Sequence, residues 1–72
     1  MLDSNECYLI RKGKEYLVGC PYTENSFVRF SSSPYDGYPF NEFITAWHLS
    51  RRMNGMVVKH NRATGKIEGG WR

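Results

Sequence analysis

The feature that most constrains the fold is an amphipathic segment with start and stop signals for a helix. Residues 42–53 carry apolar side chains at helical spacing, which predicts one helix with a buried stripe. Asn41 precedes the segment as a favourable N-cap, and Gly55 follows it where a left-handed residue often ends a helix. Phe43 and Trp47 are predicted to anchor the helix on the core. The apolar arc comprises Phe43, Ile44, Ala46, Trp47, Leu49 and Met53.

Five short segments rich in β-forming residues are predicted to be strands. The first two flank residues 13–14, where a glycine suits the first central position of a type II′ hairpin turn. That register places Ile10 opposite Leu17 and Cys7 opposite Cys20, with apolar side chains on both faces of the hairpin. The predicted strands are residues 7–11, 16–20, 27–30, 56–60 and 66–68.

The order β-β-β-α-β-β predicts an α+β fold, in which a small, mostly antiparallel sheet is covered on one face by a single helix. Seventy-two residues make one domain, residues 1–72, with one modest core. Residues 1–5 and 69–72 are expected to be loose tails, unless Trp71 docks on the domain. Residues 31–39 are predicted to be a loop because turn-forming residues dominate them.

The composition favours a cytoplasmic protein. The N-terminus has neither the basic start nor the apolar run of a secretory signal. No apolar stretch approaches the ~18 residues that a membrane span needs, so no membrane contact is expected. In that compartment Cys7 and Cys20 are predicted to be thiols.

Charge is distributed unevenly along the chain. Six of the ten Lys and Arg residues follow residue 42, against one acidic residue, so this part carries +5 and the first part −2. Such an excess predicts contact with an anion or an acidic partner. The basic side chains form one patch if the helix end and the turn at residues 61–65 lie at neighbouring edges; the alternative is a set of solvated charges. The partner-binding candidates here are Arg51, Arg52, Lys59, Arg62 and Lys66.

Aromatic side chains in and beside the predicted loop are the second group of partner-binding candidates. Tyr35, Tyr38 and Phe40 are large and stiff, as anchors of protein interfaces are. Such rings also stack on nucleic-acid bases. The alternative is a loop folded down over a small core that needs to be covered.

No catalytic or metal-binding signature is present. The spacings of Cys7, Cys20, His48 and His60 lack the close ligand pairs of structural zinc sites, so these residues are interpreted as two small apolar thiols and two surface imidazoles. No glycine-rich segment opens a helix after a strand, as phosphate-binding loops do. We therefore predict no metal, no cofactor and no enzymatic activity.

Several short motifs extend over most of the chain. They are a Tyr-Leu-Ile and Tyr-Leu-Val hairpin within residues 8–18, residues 30–36 followed by Phe40, a helix that ends at Gly55, residues 57–59 and residues 64–66. In these motifs the chain resembles small proteins encoded by phages and prophages of Gram-positive bacteria. The resemblance implies an accessory role in the bacterial host, such as binding and modulating a host or defence protein, and it transfers no catalytic residues.

The sequence therefore predicts a non-enzymatic binding protein whose partner is another protein. The first alternative is a small nucleic-acid-binding module that uses the basic surface from Arg51 to Lys66, because phosphates attract basic side chains. The second alternative is a homo-oligomeric structural component, because the predicted hairpin has apolar side chains on both faces.

Overall fold

The fold is a five-stranded antiparallel sheet with one α-helix, seen in a computed structural model that describes residues 2–19 and 29–72. The strands are β1 (Glu6–Lys12), β2 (Glu15–Val18), β3 (Arg29–Ser31), β4 (Met56–Asn61) and β5 (Ile67–Trp71). A short 3₁₀ helix (Pro34–Asp36) and the α-helix α1 (Phe43–Arg52) lie between β3 and β4. The strand order in the sheet is β3-β2-β1-β4-β5. The predicted α+β class is confirmed.

The first hairpin has the predicted register next to its turn. Arg11 pairs with Tyr16, and Lys12 pairs with Glu15. Gly13 has a positive φ of 64°, as the first central residue of a type II′ turn requires. The local turn signal therefore predicted this part of the sheet correctly.

Farther from the turn, the two strands separate and residues 38–40 pair with them instead. The Tyr38 N–H donates to the Leu17 carbonyl at 2.9 Å. Phe40 exchanges two backbone hydrogen bonds with Tyr8, at 2.8 and 2.9 Å. The predicted register would pair Tyr8 with Gly19, so it is wrong at this end. The inserted segment comes from far along the chain, which no local hairpin rule anticipates.

The helix begins and ends one residue inside its predicted bounds. Glu42, and not Asn41, is the N-cap, with an extended backbone (φ −118°, ψ 128°) and no side-chain cap hydrogen bond. At the other end Asn54 has the left-handed φ, 60°, that was predicted for Gly55. Glycine is needed at residue 55 for a different reason, because a Cβ there would lie 2.8 Å from the Arg11 carbonyl oxygen. Only glycine lets the chain pass this close to β1.

The helix covers one face of the sheet by packing on β1 and β4. Ala46 and Ser50 are the fully buried residues of α1, and the Ser50 hydroxyl donates to the Trp47 carbonyl at 2.8 Å. Phe43 and Trp47 are half-buried against the core, as predicted, whereas Ile44 is 60% exposed and does not belong to the buried stripe. The buried core on this face comprises Ile10, Leu17, Phe40, Ala46 and Val57.

The opposite face of the sheet is covered by the segment that follows β3. A Cβ on Gly37 would lie 2.9 Å from the Leu9 side chain, and the Tyr35 ring meets the His60 ring edge-on with 4.8 Å between centroids. The segment is therefore folded over the sheet, which was one of the two alternatives for its aromatic residues. Cys20, the predicted neighbour of Cys7, lies outside the described residues. The buried cluster on this face comprises Cys7, Leu9, Tyr16 and Val58.

The last strand is longer than predicted and includes residues expected to form a loose tail. β5 continues to Trp71, which pairs with Val57 beyond a bulge. A Cβ on Gly69 would collide with the Trp71 indole, so the indole lies back across this glycine. The ring then reaches Phe43 and Tyr8 edge-on, with 5.5 and 6.4 Å between centroids. This aromatic contact ties the expected tail to the helix.

The turn between β4 and β5 forms where it was predicted. The Asn61 side-chain oxygen accepts from the N–H groups of Ala63 and Thr64 at 2.9 and 3.1 Å, a local bond that favours turns. The Arg62 N–H donates to the Asn5 carbonyl at 2.7 Å. The end of the expected N-terminal tail is thus held against this turn.

Candidate functional site

The predicted basic residues lie at opposite ends of β4. Arg51 and Arg52 are in the last turn of α1, just before the strand begins, whereas Arg62 and Lys66 follow its end. The strand has six residues, which span roughly 20 Å. The helix end and the turn are therefore not at neighbouring edges, and the predicted single basic patch does not form.

Lys59 and Lys66 belong to a cluster with two carboxylates. Lys59 Nζ lies 3.4 Å from a carboxylate oxygen of Glu6 and of Glu68, and Lys66 Nζ lies 2.9 Å from Glu68. A hydrogen bond from the Asp3 N–H and the contact with Lys59 lower the pKa of Glu6. Lys66 and Lys59 lower the pKa of Glu68, and the two carboxylates raise the pKa of Lys59. The chain thus neutralises these lysines itself.

The three aromatic candidates differ in their surroundings. Phe40 is 4% exposed and belongs to the helix-side core, so almost none of its side chain is accessible to a partner. Tyr38 is half-buried, with its ring centroid 4.9 Å from that of Phe40. Tyr35 is 54% exposed, although one edge lies against His60. Of the three, Tyr35 alone presents most of its side chain to solvent.

Another surface of aromatic and basic residues lies between α1 and β5. Phe43, Trp47 and Arg51 follow one another at intervals of four residues, so they lie on one side of the helix. Trp71 of β5 stacks edge-on against Phe43 and is 41% exposed. We call this surface the α1–β5 face; it comprises Phe43, Trp47, Arg51, Trp71 and Arg72.

The basic end of the α1–β5 face is a cleft of about 340 Å³ lined by Arg51, Asn54, Gly55 and Arg72. The Arg51 guanidinium lies over the Trp47 ring, 4.8 Å from its centroid, a cation–π contact that restrains the side chain. Within residues 2–19 and 29–72, neither Arg51 nor Arg72 forms an ion pair. This cleft therefore gathers positive charge that the described chain does not neutralise.

His60 is a buried imidazole, and not the surface group that the sequence analysis assumed. It is fully buried beside Tyr35, and neither ring nitrogen has a hydrogen-bond partner in the part of the chain that the structure describes. Its partners across the sheet, Cys7 and Ile67, are apolar. Burial and then the charge of Arg62 lower the pKa of His60. An unsatisfied buried polar group costs about 1–3 kcal/mol.

Sequence reasoning missed Trp71 and Arg72 because residues 69–72 were assigned to a loose tail. A Trp-Arg pair at this position of the sequence does not by itself indicate a binding surface. The pair becomes a candidate only because β5 places it beside the helix. The two glycines before Trp71 accommodate the bulge and the indole.

No helix in the described ranges is long and apolar enough to cross a membrane. Among the same residues, no three His, Cys, Asp or Glu side chains converge as metal ligands. No protein-family model, curated protein or solved structure matches this chain. Its function is therefore inferred from the chemistry of its own surface.

Proposed function

We propose that this chain is a non-enzymatic binding protein that holds an acidic protein partner on the α1–β5 face. The observation that supports this function is Trp71, whose indole is 41% exposed, stacked against Phe43, and followed by Arg72 at an uncompensated basic cleft. Tryptophan and arginine are among the residue types that carry most of the energy of protein interfaces. The resemblance to phage and prophage proteins favours a host or defence protein in the bacterial cytoplasm as the partner.

The distribution of charge supports an acidic partner. At one end of β4, Lys59 and Lys66 are paired with Glu6 and Glu68. At the other end, the last turn of α1 and the end of β5 carry arginines that lack such ion pairs among the described residues. A field concentrated in this way orients an approaching negative surface toward the cleft.

A nucleic acid is a less suitable partner for this surface. Binding along a phosphate backbone draws on a series of basic side chains, each of which neutralises one phosphate. Lys59 and Lys66 are already paired with carboxylates, and Lys66 lies beyond the end of β4, roughly a strand length from Arg51. The basic side chains therefore do not form a continuous track.

The proposal is tested by partner capture with matched variants. The wild-type chain captures its partner from an extract of the source cell, with and without nuclease, and the Kd is then measured with the purified partner. We expect Trp71→Ala to weaken binding about tenfold or more at every salt concentration, because it removes a desolvated anchor. Tyr35→Ala removes an aromatic ring that is also exposed, on the opposite face, and is expected to leave the Kd unchanged.

Three other outcomes would indicate a different binding face or a different function. If Tyr35→Ala abolishes binding while Trp71→Ala does not, the contact lies on the face covered by the segment after β3, and the proposal is refuted. Capture that is lost with nuclease and falls log-linearly with salt indicates a nucleic-acid-binding module. Self-association that sedimentation detects and Trp71→Ala abolishes indicates a homo-oligomer.

A further inference from the structure

We infer that the cleft between Arg51 and Arg72 is an anion-binding site that takes a carboxylate from an acidic segment of the partner. The inference rests on the proposed function, because it names the chemistry that the basic end of the α1–β5 face recognises. It also predicts an event that needs no partner, namely the binding of a short acidic peptide in this cleft.

The stacking of Arg51 prepares its guanidinium for this contact. The central carbon of the group lies over the Trp47 ring at 4.8 Å from the centroid, a cation–π contact that restrains the side chain. The N–H donors of a guanidinium point outward in its own plane, and these donors form the paired hydrogen bonds to a carboxylate. The ring contact therefore restrains a side chain that forms no ion pair among the described residues, which lowers the entropic cost of binding.

The free hydrogen-bonding groups of the cleft are side-chain donors. The backbone N–H of Gly55 donates to the Ser50 carbonyl at 2.7 Å, and that of Asn54 donates to the Arg51 carbonyl at 3.3 Å. The side chains of Arg51, Asn54 and Arg72 remain, and no Asp or Glu is among the described residues that line the cleft. A site whose side chains offer several donors and no acidic group is complementary to an anion that only accepts.

The negative end of α1 opposes anion binding but does not cancel the arginine charges. A helix C-terminus is equivalent to about half a negative charge, whereas Arg51 and Arg72 contribute two positive charges to the cleft. Two of the last helical carbonyls are also occupied, because Leu49 accepts from Met53, at 3.3 Å, and Ser50 accepts from the chain that follows. The side-chain charge of the cleft therefore outweighs the helix dipole, which favours an anion such as a carboxylate.

The test is a titration of ¹⁵N-labelled protein with an acetylated, amidated peptide of glutamates, at constant ionic strength maintained with chloride. We expect the side-chain N–H signals of Arg51, Arg72 and Asn54 to shift together, with a Kd on the order of 1 mM. Acetate is expected to shift the same signals more weakly. Inorganic phosphate is titrated in parallel, because a phosphate group presents similar acceptor oxygens.

Matched variants distinguish peptide binding in the cleft from general electrostatic attraction to the basic protein. Arg51→Gln is expected to weaken peptide binding about tenfold, whereas Arg52→Gln, with the same loss of charge at the neighbouring position, is expected to change it less than about twofold. Arg51→Lys keeps the charge but loses the planar donors, so it is expected to restore only part of the affinity. Arg72→Gln removes the second arginine of the cleft and is expected to weaken peptide binding as well. It replaces Arg51→Gln in the test if that variant does not fold.

Each outcome is decisive for the cleft. Equal losses in Arg51→Gln and Arg52→Gln, or no shift of the cleft signals, overturn the inference and leave the proposed function to the Trp71→Ala experiment. Tighter binding of phosphate than of the peptide overturns the assignment to a carboxylate. Peptide binding in the cleft, combined with a partner Kd that neither Arg51→Gln nor Trp71→Ala changes, supports the site but refutes the proposed function of this face.

Discussion

Acidification from about pH 7.5 to about pH 5 is expected to destabilise the protein through His60. Its imidazole is fully buried between apolar cross-strand neighbours, Cys7 and Ile67, with Tyr35 against its ring. Neither ring nitrogen has a partner within the described ranges, so a proton added to the folded state would create a charge without a hydrogen-bond acceptor. The charged group closest in sequence, Arg62, opposes protonation as well.

The sign of the effect follows from the direction of the pKa shift. Because the pKa of folded His60 is lowered from its ordinary value of 6.5, the unfolded chain binds a proton before the folded chain as the pH falls. The full stability is present above about pH 6.5 and is lost as the pH falls toward the lower pKa of the folded state. One proton changes the free energy of unfolding by at most about 1.4 kcal/mol per pH unit, so the loss at pH 5 is at most about 2 kcal/mol. In a domain of this size, that loss corresponds to a fall in Tm of up to roughly 8–16 °C.

The assay is urea unfolding followed by far-UV circular dichroism at several pH values within that range. His60→Leu is expected to remove most of the dependence on pH above pH 5, and to match or exceed the wild-type stability at neutral pH because an apolar side chain replaces an unsatisfied polar one. His48→Gln, on the exposed side of α1, is the control and is expected to retain the wild-type slope. The same slope in His60→Leu as in the wild type would refute the assignment to this residue.

Three further perturbations have defined outcomes. Gly55→Ala is expected to cost about 1–3 kcal/mol in urea unfolding, because the new Cβ would lie 2.8 Å from a β1 carbonyl oxygen; unchanged unfolding would contradict this contact. Trp47→Ala is expected to cost about 2–3 kcal/mol, less than a fully buried Trp, because its indole is half-buried. Lys66→Met is expected to raise the pKa of Glu68 toward 4.5 in a ¹³C NMR titration, while the pKa of Glu6, which Lys66 does not influence, stays the same.

The elements with local signals could be predicted from the sequence. The turn at Gly13 and the helix depend on residues a few positions apart, so propensity and periodicity were sufficient. The end of the helix was less predictable. Glycine is required at residue 55 because β1 lies too close for a Cβ, and not because the backbone adopts the left-handed conformation that usually favours glycine at this position. The insertion of residues 38–40 beside Tyr8 was not predictable in this way, since the two segments are distant in sequence.

The surface charge shows why the candidate site was only partly predictable. A count along the chain assigns Lys59 to the basic part and Glu6 to the acidic part, but adjacent strands bring the two together at 3.4 Å. Glu6 of the acidic part therefore compensates Lys59, whereas no ion pair among the described residues compensates Arg51. Arg51, in the last turn of α1, and Arg72, which follows β5, line one cleft near the start of β4. Which charges remain free for a partner is thus decided by strand pairing, a property of the tertiary structure, and the net charge of a segment only limits the number available.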